Sequence, residues 1–225
     1  EMKSDFTNNI THELKTPIAV AYAANDALLN FGQADEKAKR DKYLSISQEQ
    51  LQRLSGLVEQ ILTMSMEQRK TFRLRPEEIT LATLLESLTE QHKLKAQNPI
   101  DIDYRVEPAN LTVFADRTHF SNILSNLIDN AVKYSPGKAF IRIHCRETAD
   151  NGKVEISVSD EGTGIAQEKQ KHIFDKFYRV PTGNLHNVKG YGLGLYYVKT
   201  MIEKHGGTVC VKSEPGHGST FTITL

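Results

Sequence analysis

The sequence predicts a multi-domain fold in two parts, an all-α helical hairpin followed by an α+β sandwich. Three observations carry this. Apolar residues recur at helical spacing from the first residues to about Gln68. From Thr71 the texture changes to short alternating strand patterns with helical patterns between them. The late strands come in consecutive pairs, which suits a mixed sheet with helices on one face.

The first helix is read over Met2 to Phe31, with Phe6, Ile10, Leu14, Pro17, Ala21, Ala24 and Leu28 spaced by four and three. Gly32 and a polar turn follow. The second helix carries Leu44, Ser47, Leu51, Leu54, Val58 and Ile61 at alternating spacings of three and four. A hairpin of this size cannot bury both stripes alone, so a homodimer closing a four-helix bundle is expected. The hairpin spans residues 1–68 and the second domain 69–225. Strands are expected at "TFRLR", "IDIDYRV", "LTVFAD", "KAFIRIHCRE", "KVEISVSD", "TVCVKSE" and "STFTITL", and helices over Leu81–Ala96, Arg117–Tyr134 and Gly192–His205.

The chain has 225 residues, 28 basic against 28 acidic, so its charge balance suggests neither a nucleic-acid nor a membrane-surface partner. Cys145 and Cys210 have no CxxC partner and read as buried free thiols in strands. No run of about 18 apolar residues marks a membrane span. Helical periodicity already runs at Glu1, which reads as a fragment cut from something longer.

The helix "NILSNLIDNAVKYS" gathers Asn122, Asn126, Asp129, Asn130 and Lys133 on about a third of its circumference, opposite Ile123, Leu124, Leu127, Ile128, Ala131 and Val132. Asparagine is a mediocre helix former, so three on one stripe is unusual for a merely solvated face. Its side-chain oxygen is a neutral hard donor suited to Mg²⁺, and a lysine meets phosphate. "DEGTGI", Asp160 to Ile165, ends a strand with glycines that permit close approach of a ligand, although alone it fits a plain turn as well. "GYGLGLYYVK" runs Gly190, Gly192 and Gly194 into a helix, where exposed N–H groups favour an anion. It is neither a Rossmann fingerprint nor a Walker A loop. "GHGST" fits a hairpin turn or a ligand loop equally. Between Gly164 and Gly190, "FDKFYRV" offers Phe174, Phe177 and Tyr178 as anchors for a loop, and Arg179 as a phosphate contact.

Near the N-terminus stands "THELKTP", Thr11 to Pro17. His12 falls about 200° round the helix from Ile10 and faces solvent. A zinc-protease HExxH motif is excluded, since Thr16 stands where the second histidine belongs. Neutral imidazole is a nucleophile near neutral pH, and Glu13 can hold the proton on one ring nitrogen. Pro17 removes a backbone hydrogen bond and loosens the helix just beyond.

In order, the Asn-rich helix, DxGxG, the Phe-rich segment, GxGLGL and GxGST resemble the N, G1, F, G2 and G3 boxes of the GHKL (Bergerat-type) ATP-binding domain. "FTNNITHELKTPI" resembles the H box of sensor histidine kinases, so the resemblance covers the whole chain. It implies ATP and Mg²⁺ as cofactors, with Asn126 the direct Mg²⁺ ligand, Asn130 beside metal and phosphate, Lys133 on phosphate and Tyr134 against adenine. It also implies that Asp160 accepts from the adenine amino group, that Gly162 and Gly164 shape the pocket, and that Gly190, Gly192 and Gly194 end a lid around 164–190. Arg179 is placed near the γ-phosphate. Tyr191 departs from the small residue common in GxGLGL. The resemblance further implies phosphorylation of His12, assisted by Glu13, with transfer to an aspartate of a response-regulator receiver domain. Thr16 matches an ExxT element that orients water for dephosphorylating that partner. Such a chain is the cytoplasmic portion of a sensor anchored in the inner membrane by segments absent here. Competing readings are a mainly phosphatase protein, a GHKL clamp ATPase, which lacks an H box, and a signalling bundle that holds nucleotide only as a ligand.

Overall fold

The computed structural model describes residues 2–67, 73–96, 98–148, 152–180 and 192–225. The chain divides into two compact units, Glu1–Phe72 and Arg73–Leu225.

In the first unit α1 (Met2–Asn30) and α2 (Lys37–Glu67) form an antiparallel pair. The helix α1 runs unbroken through Pro17, which is buried. Proline removes one N–H from the ladder but does not end the helix here. Ala21 and Ala24 turn inward against α2, and Ser47 and Gln50 are buried with them. Leu44, Leu51 and Val58 from the expected α2 stripe remain exposed on the single hairpin. Among the described residues no helix is long and apolar enough to cross a membrane.

The second unit runs β1 (Pro76–Thr80), α3 (Leu81–Lys95), β2 (Ile100–Glu107), β3 (Thr112–Asp116), α4 (Arg117–Lys133), β4 (Ala139–Glu147), β5 (Val154–Asp160), α5 (Gln167–Gln170), α6 (Gly194–Lys204), β6 (Thr208–Glu214) and β7 (Gly218–Thr224). Five strands make one mixed sheet in the order β2-β4-β5-β7-β6, parallel only between β2 and β4. The connection from β2 to β4 includes α4, the kind of crossover that a parallel pair requires. One face of the sheet is apolar: Ile102, Ile141, Ile143, Ile156, Val158, Phe221 and Ile223 are buried there. The helices α3, α4 and α6 pack on the sheet, and Leu85, Phe120, Leu124, Val198 and Met201 are completely buried.

Two expectations are corrected, and one short helix was not expected. Arg73–Arg75 of "TFRLR" is not a strand; the strand falls on Pro76–Thr80 and pairs with β3 in a separate two-stranded ribbon. Thr71 and Phe72 lie outside the described residues. Cys145 is buried, and its thiol is pushed up to about 12 by burial, but Cys210 is exposed on edge strand β6, whose outward positions alternate from Thr208. The short α5 carries too little periodic signal to be read from sequence.

Asp116 ties three elements together. Its carboxylate caps α4 by accepting from His119 N–H at 3.2 Å and accepts from Arg75 N–H at 2.9 Å, while its own N–H donates to Nε2 of His205, just after α6, at 3.0 Å. Burial alone would raise the pKa of this carboxyl, but the Arg75 and His119 donors and the neighbouring histidines together hold it below the ordinary value. Its contribution is therefore present above the unfolded-state pKa and lost as pH falls through the folded one. Asp116→Ala is expected to cost about 1–2 kcal/mol at pH 7. Urea unfolding should show the variant and wild type converging as the pH is lowered to about 3.

Candidate functional site

Burial of Phe120, Ile123, Leu124, Leu127, Ile128 and Ala131 fixes the rotation of α4 about its axis. The opposite stripe is thereby aimed away from the sheet: Asn122 is exposed, whereas Asn126, Asn130 and Lys133 are half-buried. Asp129, read as part of that stripe, instead meets Nδ1 of His92 on α3 at 3.3 Å. The same ring reaches Ser125 Oγ through Nε2 at 3.0 Å.

Asn126 donates from Nδ2 to the Asn122 carbonyl at 2.8 Å, which leaves its Oδ1 turned toward the start of α6. There a Cβ on Gly194 would stand 2.7 Å from that oxygen, so a larger residue would push the Asn126 carboxamide out of this position. Leu193 precedes the helix without a side-chain cap, and the first N–H groups of α6 have no intrahelical acceptor. A carboxamide oxygen and a helix N-terminus thus lie side by side, an arrangement suited to an anion with its cation.

Asp160 ends β5. Its Oδ1 accepts from Gly162 N–H at 2.8 Å and from Ser219 N–H at 3.3 Å; Oδ2 takes no hydrogen bond among the described residues. Burial raises its pKa, and the two N–H donors oppose the rise. Thr163 N–H donates to the Tyr134 carbonyl at 3.0 Å and zips this loop onto the end of α4. Gly162 is needed there because a Cβ would stand 2.6 Å from the same carbonyl oxygen.

Of the residues picked out from sequence, Asn130, Tyr134, Asp160, Gly164 and Arg179 line one cavity, about 620 Å³ of empty space that is partly open to solvent. Lys133 Nζ lies 4.9 Å from the centroid of the Tyr134 ring. Its pKa is lowered to about 8, by burial first and then by the Arg179 charge. Burial also raises the Tyr134 phenol, against the opposing effect of Arg179. Phe177 N–H donates to the Gly192 carbonyl at 3.0 Å, closing the base of the segment between them. Gly190 and Tyr191 lie outside the described residues, as does the expected lid from 181 onward. Phe174 packs edge-on against Phe221, as an anchor would.

The sequence reading did not assign Ile165, Ile173, Leu195, Ser219 or Phe221 to the cavity wall, though they line it. Ser219 and Ile165 sit within quoted motifs. Ile173 gives no signal, since one apolar residue in a loop has no period. In the other unit, His12 and Glu13 lie within α1, but their side chains are outside the described residues; Thr16 is exposed.

Two family models match. Residues 2–70 match the His Kinase A (phospho-acceptor) domain, and residues 115–225 match the histidine kinase-, DNA gyrase B- and HSP90-like ATPase. The chain belongs to the sensor histidine kinases. The sensor protein RprX of Bacteroides fragilis is 39% identical across all of this kinase chain, and SenX3 of Mycobacterium tuberculosis is 35% identical across 99% of it. The chain spans about half the length of these relatives, 44% and 53% respectively. The solved histidine kinase AdeS of Acinetobacter baumannii superposes with a TM-score of 0.67 at 25% identity, covering 95% of this chain and 96% of that one. The histidine kinase ThkA, solved in complex with the response regulator TrrA, gives 0.72 at 25% identity over 98% of this chain and 60% of that one. The ATPase match implies ATP as the nucleotide of this kinase domain.

Two outcomes follow from the site's electrostatics. Burial raises the Asp160 pKa, so its ionisation opposes folding once pH exceeds the unfolded value. Asp160→Asn can keep both hydrogen bonds to Oδ1 while turning an N–H₂ group to the cavity in place of Oδ2. It is expected to melt higher than wild type at pH 7 and to lose ATP affinity by about 100-fold, an effect of roughly 3 kcal/mol. Differential scanning calorimetry and titration calorimetry measure the two. For Lys133, a polyphosphate should raise the depressed pKa, so ATP binding near pH 8.5 is expected to take up protons and to weaken as pH rises above about 8. Titrations in buffers of different ionisation enthalpy should show that uptake, and Lys133→Met should abolish it.

Proposed function

We propose that this chain autophosphorylates on His12 from ATP and passes the phosphoryl group to an aspartate of a response-regulator receiver domain. The observation that carries the reading is the cavity holding Asp160, Asn130 and Arg179, with Lys133 beside it, whose groups match the two ends of ATP. Asp160 Oδ2 is an acceptor for an exocyclic amine, while Lys133, Arg179 and the start of α6 suit phosphates. Gly162 and Gly164 keep the base-binding side open, and Gly192 and Gly194 let the chain approach the phosphates.

Mg²⁺ fits this donor set. Asn126 would hold it through Oδ1, and Asn130 flanks the same place one turn on. Among the described residues no group of three His, Cys, Asp or Glu side chains is arranged to hold a metal, which suits an ion that arrives with the nucleotide and keeps waters. When bound, it neutralises charge on the phosphate oxygens.

In the reaction one imidazole nitrogen of His12 attacks the γ-phosphorus, a P–N bond forms, and the bond to the bridging oxygen of ADP breaks. Glu13 holds the proton on the other nitrogen, so the attacking lone pair stays available. Arg179 balances charge on the γ-phosphate. In the second step the phosphoryl group leaves His12 for the receiver aspartate. Thr16, exposed one turn after His12, is the residue to orient water when the partner is dephosphorylated. The protein works as a homodimer, supported by the exposed Leu44, Leu51 and Val58 on α2. Its relatives are sensors, and we read this chain as the cytoplasmic portion of a membrane-anchored one.

Incubation with γ-labelled ATP and Mg²⁺ tests the assignment. Label that is lost in acid and kept in base is expected on wild type, with none on His12→Gln despite unchanged ATP affinity. Labelling that survives the substitution would remove His12 from the mechanism.

A further inference from the structure

On α1 the residues turned against α2 are Pro17, Ala21 and Ala24, and on α2 they are Ser47 and Gln50. Among the described residues, Leu14, Leu28, Ile46 and Leu54 are half-buried and other large apolar residues lie outside. Ile18, Tyr22 and Leu29 on α1, and Leu44, Leu51 and Val58 on α2, are between 45% and 81% exposed. At about 100° per residue, each row lies roughly 90° round from the inward stripe of its helix, in the same rotational sense. Since the helices run antiparallel, equal offsets put both rows on one face of the hairpin. In the homodimer reading, on which this inference rests, that face meets its copy.

Asn25 interrupts this face, and Ser47 borders it on α2, buried between the inward stripe and the exposed row. Asn25 completes the spacing 18, 22, 25, 29 on α1, and Ser47 falls within 44, 47, 51 on α2. The two are bonded: Asn25 Nδ2 donates to Ser47 Oγ at 3.0 Å and to the Ala21 carbonyl at 3.0 Å. That uses both N–H bonds of the amide. Asn25 Oδ1 is left as an acceptor without a donor among the described residues, and the Ser47 hydroxyl still has its own proton to give. The pairing of Asn25 with Ser47 sets Tyr22 near the level of Leu51 on one side and Leu29 near Leu44 on the other. The pair is a single polar step in an apolar column.

We propose that Asn25 and Ser47 form a polar layer between two copies of this chain, which fixes their register and selects the chain's own kind as partner. In the correct register each Asn25 Oδ1 accepts from the Ser47 hydroxyl of the second copy, and the exchange is self-complementary about a two-fold axis. A chain shifted along the bundle, or one with an apolar residue at the same level, leaves Oδ1 buried without a donor. One such layer in an apolar interface specifies register at a cost in stability.

The full 225-residue chain tests this with a spin label on Ser45→Cys, an exposed position on the far side of α2, in a Cys210→Ser background. Wild-type Asn25 is expected to give a dimer with one narrow label-to-label distance. Asn25→Leu should remain dimeric, melt about 5 °C higher and spread that distance into more than one population. Ser47→Ala removes the donor and should melt lower instead. If Asn25→Leu keeps the single distance, or melts no higher, the polar layer is overturned while the dimer stands. A wild-type chain that is monomeric at tens of micromolar, its apolar face covered from within, overturns the dimer reading and this inference with it.

Discussion

The approach of α6 to α4 is the constraint on which the nucleotide site depends. The apolar side of α4 must face the sheet, so the direction of its asparagine stripe is set by packing and not by any ligand. Left alone that stripe would be a solvated surface. It becomes a site because a second helix begins against it, so close that a side chain on its first residue would displace the Asn126 carboxamide. The loop after Asp160 is then hung on the carbonyl of Tyr134, at the end of the same helix. One helix therefore carries the asparagines and Lys133 along its face and holds the Asp160 loop at its end.

The electrostatics of this assembly run against the stability of the empty domain. The half-buried Asp160 carboxylate, and the half-buried Lys133 whose pKa Arg179 helps to depress, are each unfavourable when charged in the empty domain. Their arrangement is polarised, with the carboxylate among apolar walls at one end and the two cations at the other. A ligand with an amine on a flat apolar base and several negative charges some distance away relieves both at once.

Most of this was legible in the sequence because it rests on periodicity and glycine. The long helices, the alternating strands from Ile100 onward and the two faces of α4 all follow from residue spacing, and the ordered motifs locate the site. What escaped was set by tertiary context. Pro76–Thr80 begins with proline and two glutamates, a poor strand on propensity; it is one because Ile79 is fully buried as it pairs with β3. Cys210 looked like its neighbours in a strand, but the strand lies at the sheet edge, and an alternating pattern does not say which parity faces the core. Asp129 shares the angular sector of Asn126, yet a histidine from another helix claims it. Ile173 reaches the cavity wall from a loop, where no pattern announces it.

The two units differ in how they are held. The ATP-binding unit has a core of fully buried Leu, Ile and Phe side chains on a five-stranded sheet and is self-sufficient. Among its described side chains the hairpin turns small and polar residues inward, has a proline within its first helix, half-buries Leu14, Leu28, Ile46 and Leu54, and leaves Ile18, Tyr22, Leu29, Leu44, Leu51 and Val58 exposed. Two helices joined by a short turn gain little from such an interior, so most of the hairpin's stability must come from whatever covers the exposed face. Its conformation is therefore coupled to that covering by mass action, and a change in how the face is packed shifts the helix that bears His12. The ATP site needs no such partner to keep its shape. Control over a chain built this way acts most directly on the helices, since the nucleotide-binding domain holds its own shape.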